Sequence, residues 1–260
     1  MRVLTNHISF LLLLFVVIFA SCNTNKLTTT EEKDYIYDVK IKELNPNFLV
    51  YHSSDTLSFL YFKIHTKELL YTRENSNKPF KTKLKIHYEV FESERGKVLI
   101  DSSSKLLIDY KTSKEDKIII GKIPINIKQG TNSVMKIVVQ DLNKLNRVEE
   151  IVRINKTDVK SSQYFLIKKD EIICFDSYFN TNVQLELESE KNKNSTMEIK
   201  VFYRKNSPAR PPFSRQNVYD FPDTANEIRP VSFVNGVANM RLDSLASYYF
   251  KSKNPNKNSF

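Results

Sequence analysis

The sequence predicts an all-β chain built as two consecutive antiparallel β-sandwiches of Ig-like type. Three observations carry this. Apolar residues recur at every second position along most of the chain, the period of a strand with one buried face. The alternating segments are short, and turn residues separate them at intervals of about 8–12 residues. No segment keeps the 3.6-residue spacing of a long amphipathic helix. The composition agrees. Of the 260 residues, 40% are hydrophobic, enough for a core and too many for a disordered chain. Four glycines leave little room for a Gly-rich phosphate loop. Two cysteines exclude a disulfide-stapled scaffold and a Cys-based zinc module.

Residues 1–21 read as an export signal. Arg2 opens it, an apolar run from Ile8 to Phe19 follows, and Ala20 and Ser21 close it. That run is short for a membrane span. Phe19-Ala20-Ser21-Cys22 resembles the lipobox of bacterial lipoproteins, although Phe19 stands where Leu is usual. Cys22 is therefore the expected lipidation site. Each buried acyl CH₂ contributes about 0.8 kcal/mol, so the several chains of a lipoprotein Cys give lasting attachment. Loss of Arg2 with the signal lowers the formal charge of +10 by one. Residues 22–33, with Leu27 the one apolar residue after Cys22, read as a flexible tether. Glu31 and Glu32 come late in it, which favours the periplasmic face of the outer membrane over the cell surface.

The first sandwich is placed at residues 34–157. Leu57, Phe59 and Tyr61 alternate with Leu60, Phe62 and Ile64, a strand buried on nearly both faces. Leu84, Ile86, Tyr88 and Val90 alternate with Lys83, Lys85, His87 and Glu89, a half-solvated strand. Arg95-Gly96 then turns the chain towards Val98 to Ile100. Ile123, Ile125 and Ile127 flank Pro124, which cannot donate to a ladder and so marks an edge strand. Gly130 separates that strand from Met135, Ile137 and Val139. Over residues 142–153, β-branched residues and the breaks at Asn143 and Asn146 argue for a turn and a strand. Residues 158–163 are mostly polar and form the boundary. The second sandwich is placed at residues 164–250. Val183, Leu185 and Leu187 mark one strand, and Met197, Ile199, Val201 and Tyr203 another. Asn235-Gly236 is a strong hairpin signal, because both central residues must take positive φ. Residues 251–260 read as a polar tail.

Little in the sequence points to catalysis. His52, His65 and His87 stand apart without metal-ligand spacing, and are expected to face solvent or cap strands. Cys174 lies in Ile172-Ile173-Cys174-Phe175 and is expected to be a buried structural thiol. Glu149-Glu150 and Asp170-Glu171 are sequence neighbours, so on a strand each pair points to opposite faces and suits no joint acid–base work. Ser102 to Ser104 lack a nucleophile-elbow context. No catalytic residue, metal site or cofactor is expected. The lysines are dispersed, though Lys81, Lys83 and Lys85 share one strand face. Solvated sheet faces explain them best, with acidic envelope polymers or lipid headgroups as the functional reading, and no nucleic-acid partner is expected. Pro208, Pro211, Pro212 and Phe213 make a stiff extended segment, a crossover or a partner-binding strip. Tyr219 and Phe221, or Tyr248 and Tyr249, are the candidate aromatic platforms for a glycan.

Several of these segments together resemble the N-terminal region of the GWxTD-domain lipoproteins of Bacteroidetes. They are Phe48 to His52, Leu60 to Ile64, Lys67 to Arg73, Ile86 to Tyr88, and Ala209 to Ser214 with its Pro-Pro-Phe. The chain contains no Trp, so the motif that names the family is absent. The chain is then truncated or a member without that domain. The resemblance implies location and architecture rather than mechanism. The sequence thus predicts a non-enzymatic envelope lipoprotein, anchored through lipid on Cys22, that serves as a structural or protein-interaction module. A glycan-binding accessory lipoprotein of the outer membrane is the alternative. A hydrolase with an interdomain site ranks third, and needs acidic or His groups converging in one pocket.

Overall fold

The computed structural model describes residues 35–36, 43–112, 116–144, 146–159, 161–203 and 224–252. The alternating segments become strands. In the N-terminal part these are β1 (Tyr35–Ile36), β2 (Asn47–His52), β3 (Leu57–His65), β4 (Tyr71–Thr72), β5 (Phe80–Phe91), β6 (Leu99–Lys111), β7 (Ile118–Asn126), β8 (Asn132–Asp141) and β9 (Asn146–Asn155). In the C-terminal part they are β10 (Leu166–Lys169), β11 (Ile172–Ile173), β12 (Val183–Glu188), β13 (Thr196–Tyr203), β14 (Glu227–Ser232), β15 (Val237–Leu242) and β16 (Ala246–Ser252). Among the described residues the only helical pieces are three-residue 3-10 turns.

The chain is all-β, and its sheets are antiparallel. In the first lobe one sheet runs β6–β5–β8–β9. Lys81 of β5 pairs with Tyr110 of β6 and with Thr72 of β4, so the short β4 lies on the edge of β5 away from β6, with β1 beyond it. The facing sheet is β2–β3–β7, and β7 is an edge strand, as Pro124 implied. The second lobe faces β11–β10–β12–β15 with β14–β13–β16.

Each sandwich closes over the side chains that the alternation picks out. Leu84, Ile86, Tyr88 and Val90 of β5 and Met135, Ile137 and Val139 of β8 join Leu60, Phe62, Ile64, Ile123 and Ile125 in one core. Burying each such aliphatic or aromatic side chain contributes about 1.5–3 kcal/mol. Phe62 and Gly121 are partners across the β3–β7 ladder, and a Cβ on Gly121 would stand 2.3 Å from the Phe62 ring. The ring occupies the space that glycine leaves. Leu185, Leu187, Met197, Ile199, Val201 and Met240 build the second core.

The outer face of β2–β3 explains why β3 reads as apolar on both sides. Tyr51 and Tyr61 point away from the first core and are buried against Leu166 of β10, with Ile173 and Phe175 beside them. Polar contacts surround this seam. The Lys63 ammonium lies 5.6 Å from the centre of the Phe175 ring. The Tyr51 hydroxyl accepts a hydrogen bond from the Glu190 N–H at 3.2 Å, and Lys191 pairs with Asp55.

Local readings change at four places. Asn235 and Gly236 do take positive φ, 53° and 83°, and Val234 bridges Val237 across the turn. The strands they join lie in different sheets, however, since β14 pairs with β13 and β15 with β12. The turn is locally a two-residue hairpin turn, with Val234 and Val237 exchanging backbone hydrogen bonds at 2.8 and 3.0 Å, and the strands beyond it part into separate sheets. A further two-residue hairpin turn lies at Asp170-Glu171, with φ of 51° and 65°, between β10 and β11. Gly holds that region freely and Asn or Asp at little cost, whereas Glu171 pays to hold it. Asp170→Asn with Glu171→Gly is expected to raise stability by about 1 kcal/mol in urea unfolding; an unchanged midpoint would argue against this turn. At the end of β13 the alternation breaks. Phe202 is buried and Tyr203 exposed, because Phe202 packs edge-on against Tyr249 with ring centres 5.5 Å apart. Cys174 is half-buried at the rim of β11 rather than buried, and partial burial pushes its thiol pKa up.

Candidate functional site

The site residues named from sequence divide into two groups. Cys22, Pro211, Pro212, Phe213, Tyr219 and Phe221 lie outside the described residues. Tyr248 and Tyr249 lie on β16 and line the mouth of a cleft in the second lobe. Among the described residues no group of three or more His, Cys, Asp or Glu side chains is placed to hold a metal. Nor is any helix among them long and apolar enough to cross a membrane, which leaves strand-built spans aside.

Among the described residues, a row of exposed apolar side chains runs along β6, which the sequence reading passed over. Over residues 105–110 of β6 the outward row is apolar, and the inward row is polar apart from Leu107. Asp101, Ser103, Lys105, Leu107 and Asp109 pair with the core-facing residues of β5, whereas Leu106, Ile108 and Tyr110 pair with Lys85, Lys83 and Lys81 on the outer face. The cause is the position of β6 at the side of the sandwich. Its inward row meets the edge of β7 and bonds to it. The Asn126 N–H donates to Asp101 at 2.7 Å, and the Lys105 ammonium donates to the Lys122 carbonyl at 3.1 Å. Asp109 accepts from Lys117 and from the Tyr71 hydroxyl, both at 2.6 Å. Inward charges of this kind guard an edge strand against indiscriminate pairing. They also leave Leu106, Ile108 and Tyr110 about half exposed, at 56%, 48% and 56%. Val98 to Ile100, before and within β6, and Ile118 and Ile120, on the outer face of the β2–β3–β7 sheet beside His65 and Lys63, are further exposed aliphatic residues. The sequence held the signal in Lys105-Leu106-Leu107-Ile108-Asp109-Tyr110, where apolar residues recur every second position. The serines before it hid the strand.

A second constellation sits where the first lobe meets residues 155–164. His52 was expected to face solvent or cap a strand, yet it is fully buried, as are Ser58 and Lys156. His52 and Ser58 are cross-strand partners, with Nδ1 2.9 Å from the Ser58 hydroxyl oxygen. Two acceptors face Nε2 at 3.2 Å, the Asn155 carbonyl and the Gln163 side-chain oxygen. The proton therefore sits on Nε2, and Nδ1 accepts from the Ser58 hydroxyl. The Lys156 ammonium donates to that same hydroxyl oxygen at 3.0 Å and to the Ile127 carbonyl at 2.7 Å. Burial pulls Lys156 down to about 8. Burial, then the neighbouring Lys156 charge, pulls His52 down to about 4. Tyr164 packs edge-on to the His52 ring, 4.8 Å between centres.

In an open cleft a serine between a neutral imidazole and a perturbed lysine would suit nucleophilic chemistry. Here none of the three side chains is exposed, and no carboxylate orients the imidazole. The arrangement ties β2 and β3 to the segment that leads into the second lobe. Lys156 gave no sequence signal, since it follows β9 as any surface lysine might follow a strand.

No protein-family model matches the sequence, and no curated protein does. Among solved structures, the chain is similar to Bacteroides uniformis beta-glucuronidase 2 covalently bound to cyclophellitol-6-carboxylate aziridine, at 8% identity and a TM-score of 0.26. The likeness covers 53% of this chain and 15% of that one, and carries nothing about activity.

Proposed function

We propose that this chain is a non-enzymatic cell-envelope lipoprotein that serves as a protein-interaction module. Lipid on Cys22 holds it to the outer membrane, residues 22–33 give it reach, and the sandwiches face the periplasm. The observation behind the interaction role is the β6–β7 edge. A cluster of exposed apolar side chains such as Leu106, Ile108 and Tyr110 marks a partner site more often than a neutral surface. Leu106 and Ile108 face Lys85 and Lys83 across the ladder, and both lysines are exposed. That pairing fits a partner segment carrying apolar residues with acidic ones beside them.

Two experiments test the two halves of the reading. Radiolabelled palmitate should label the native chain and not Cys22→Ala; equal labelling of both would remove the anchor. Leu106→Lys with Ile108→Lys should abolish co-purification of an envelope protein in mild detergent while changing stability by under about 0.5 kcal/mol, as exposed positions do. Undiminished co-purification would remove the edge.

A further inference from the structure

The open mouth of the second sandwich carries a different surface. A cleft of about 400 Å³ opens between β12 and β15 on one side and β16 on the other, with residues 177–181 across its lip. Leu185 and Met240 of the second core form its floor. Three tyrosines stand around it. Tyr178 is 88% exposed, and Tyr249 is 49% exposed. The third, Tyr248, is partly buried against the second core.

The rings are set in place rather than loose. Tyr249 packs edge-on to Phe202. The Tyr248 hydroxyl accepts from the Ser244 N–H at 3.2 Å and lies 3.1 Å from the Ser244 carbonyl. Phe179, next to Tyr178, packs on the second core and ties the lip to the lobe.

The lining is also unlike the rest of the molecule. Asp, Glu, Lys and Arg make up 27% of the chain, yet none of the fifteen lining residues is charged. Eight of the fifteen carry a hydroxyl or a carboxamide, among them Ser177, Asn180, Thr181, Ser244 and Ser247. A purely apolar ligand such as an acyl chain would leave those groups desolvated and unpaired. An ionic ligand would find no countercharge in the lining, and Arg229 and Asp243, which reach Tyr248 from outside it, pair with each other. A neutral, hydroxyl-rich ring satisfies both parts. Its C–H face lies against the electron-rich face of a tyrosine, and its hydroxyls exchange hydrogen bonds with the serines, threonine and asparagine.

We propose that this cleft binds an uncharged glycan, with the Tyr178 ring as the stacking platform, Tyr248 at its wall, and the residues 177–181 and 244–247 supplying hydrogen bonds. The assignment is independent of the β6–β7 edge. It adds Tyr178 to the tyrosines of β16 that the sequence singled out. Tyr178 is nearly fully exposed, so its replacement leaves the fold intact.

The test uses the full-length chain in detergent against an array of neutral oligosaccharides, with uronic-acid oligosaccharides and a phospholipid micelle as controls. The expected result is binding to at least one neutral oligosaccharide. Affinity should fall about tenfold in Tyr178→Ala, and hold within about threefold in Tyr178→Phe, which keeps the ring. Binding confined to the anionic sugars or to the micelle would overturn the proposal. So would binding unchanged in Tyr178→Ala.

Discussion

Phe62→Ala is expected to cost about 3–5 kcal/mol of unfolding free energy, the range for emptying a buried aromatic site. Phe62 is fully buried at the centre of the first core, and its ring lies over Gly121. The neighbour makes the prediction sharper. Gly121→Ala alone would put a methyl 2.3 Å from the Phe62 ring, and overpacking of that kind costs about 1–3 kcal/mol. In the Phe62→Ala background the same methyl enters vacated space, so its cost should vanish or change sign. The double-mutant cycle, read by urea unfolding, should therefore show a coupling of at least about 1 kcal/mol. Additive losses would mean that the ring does not sit over the glycine.

The second large effect is a pH dependence with a defined shape. His52 has an ordinary value of 6.5 and is held at about 4 in the folded chain. Above pH 6.5 it is neutral in both states, and the folded chain keeps its full stability. As the pH falls from 6.5 towards 4, the unfolded chain takes up a proton that the folded chain refuses. Stability then falls by up to about 3 kcal/mol. Lys156 acts in the same sense at higher pH. It is held at about 8 against an ordinary 10.5, so stability rises with pH from about 8. Burial pushes the hydroxyls of Tyr51, Tyr71 and Tyr88 upward, and this reverses the trend above their ordinary value of 10. Carboxylates also titrate below pH 5, so the informative quantity is a difference. The slope between pH 6.5 and 5 should be lost in His52→Gln and kept in the native chain. Equal slopes in the two would place His52 in water.

The sandwich cores were legible because their residues obey one rule. Leu84, Ile86, Tyr88 and Val90 alternate with charged or polar residues, and each is buried as that alternation requires. Pro124 likewise disclosed an edge through its missing N–H. Features set by distant chain segments were hidden. Nothing near Tyr51 or Tyr61 says that β10 and β11 cover them, although their excess of apolar residues on both faces hinted at a cover. His52 looked like a surface residue because the groups that bury it, Asn155, Lys156, Gln163 and Tyr164, lie more than a hundred residues away. Asn235-Gly236 fixed a turn but not the sheets on either side, since a turn sets φ and not the partners of its strands. Over residues 105–110 of β6 the usual inside–outside rule is inverted apart from Leu107, so the alternation there marks no core face. That inversion produced the exposed apolar edge on which the interaction role rests.

The central claim is that the β6–β7 edge contacts an envelope protein, and site-specific photocrosslinking in intact cells tests it most directly. A photoreactive residue is placed at Ile108, and in separate strains at the exposed control positions Ile228 and Val234 of the second lobe. A discrete crosslinked protein from Ile108, weakened by the neighbouring Leu106→Lys change and absent from both controls, is the predicted result. No crosslink at Ile108, or the same product from all three positions, would contradict the account.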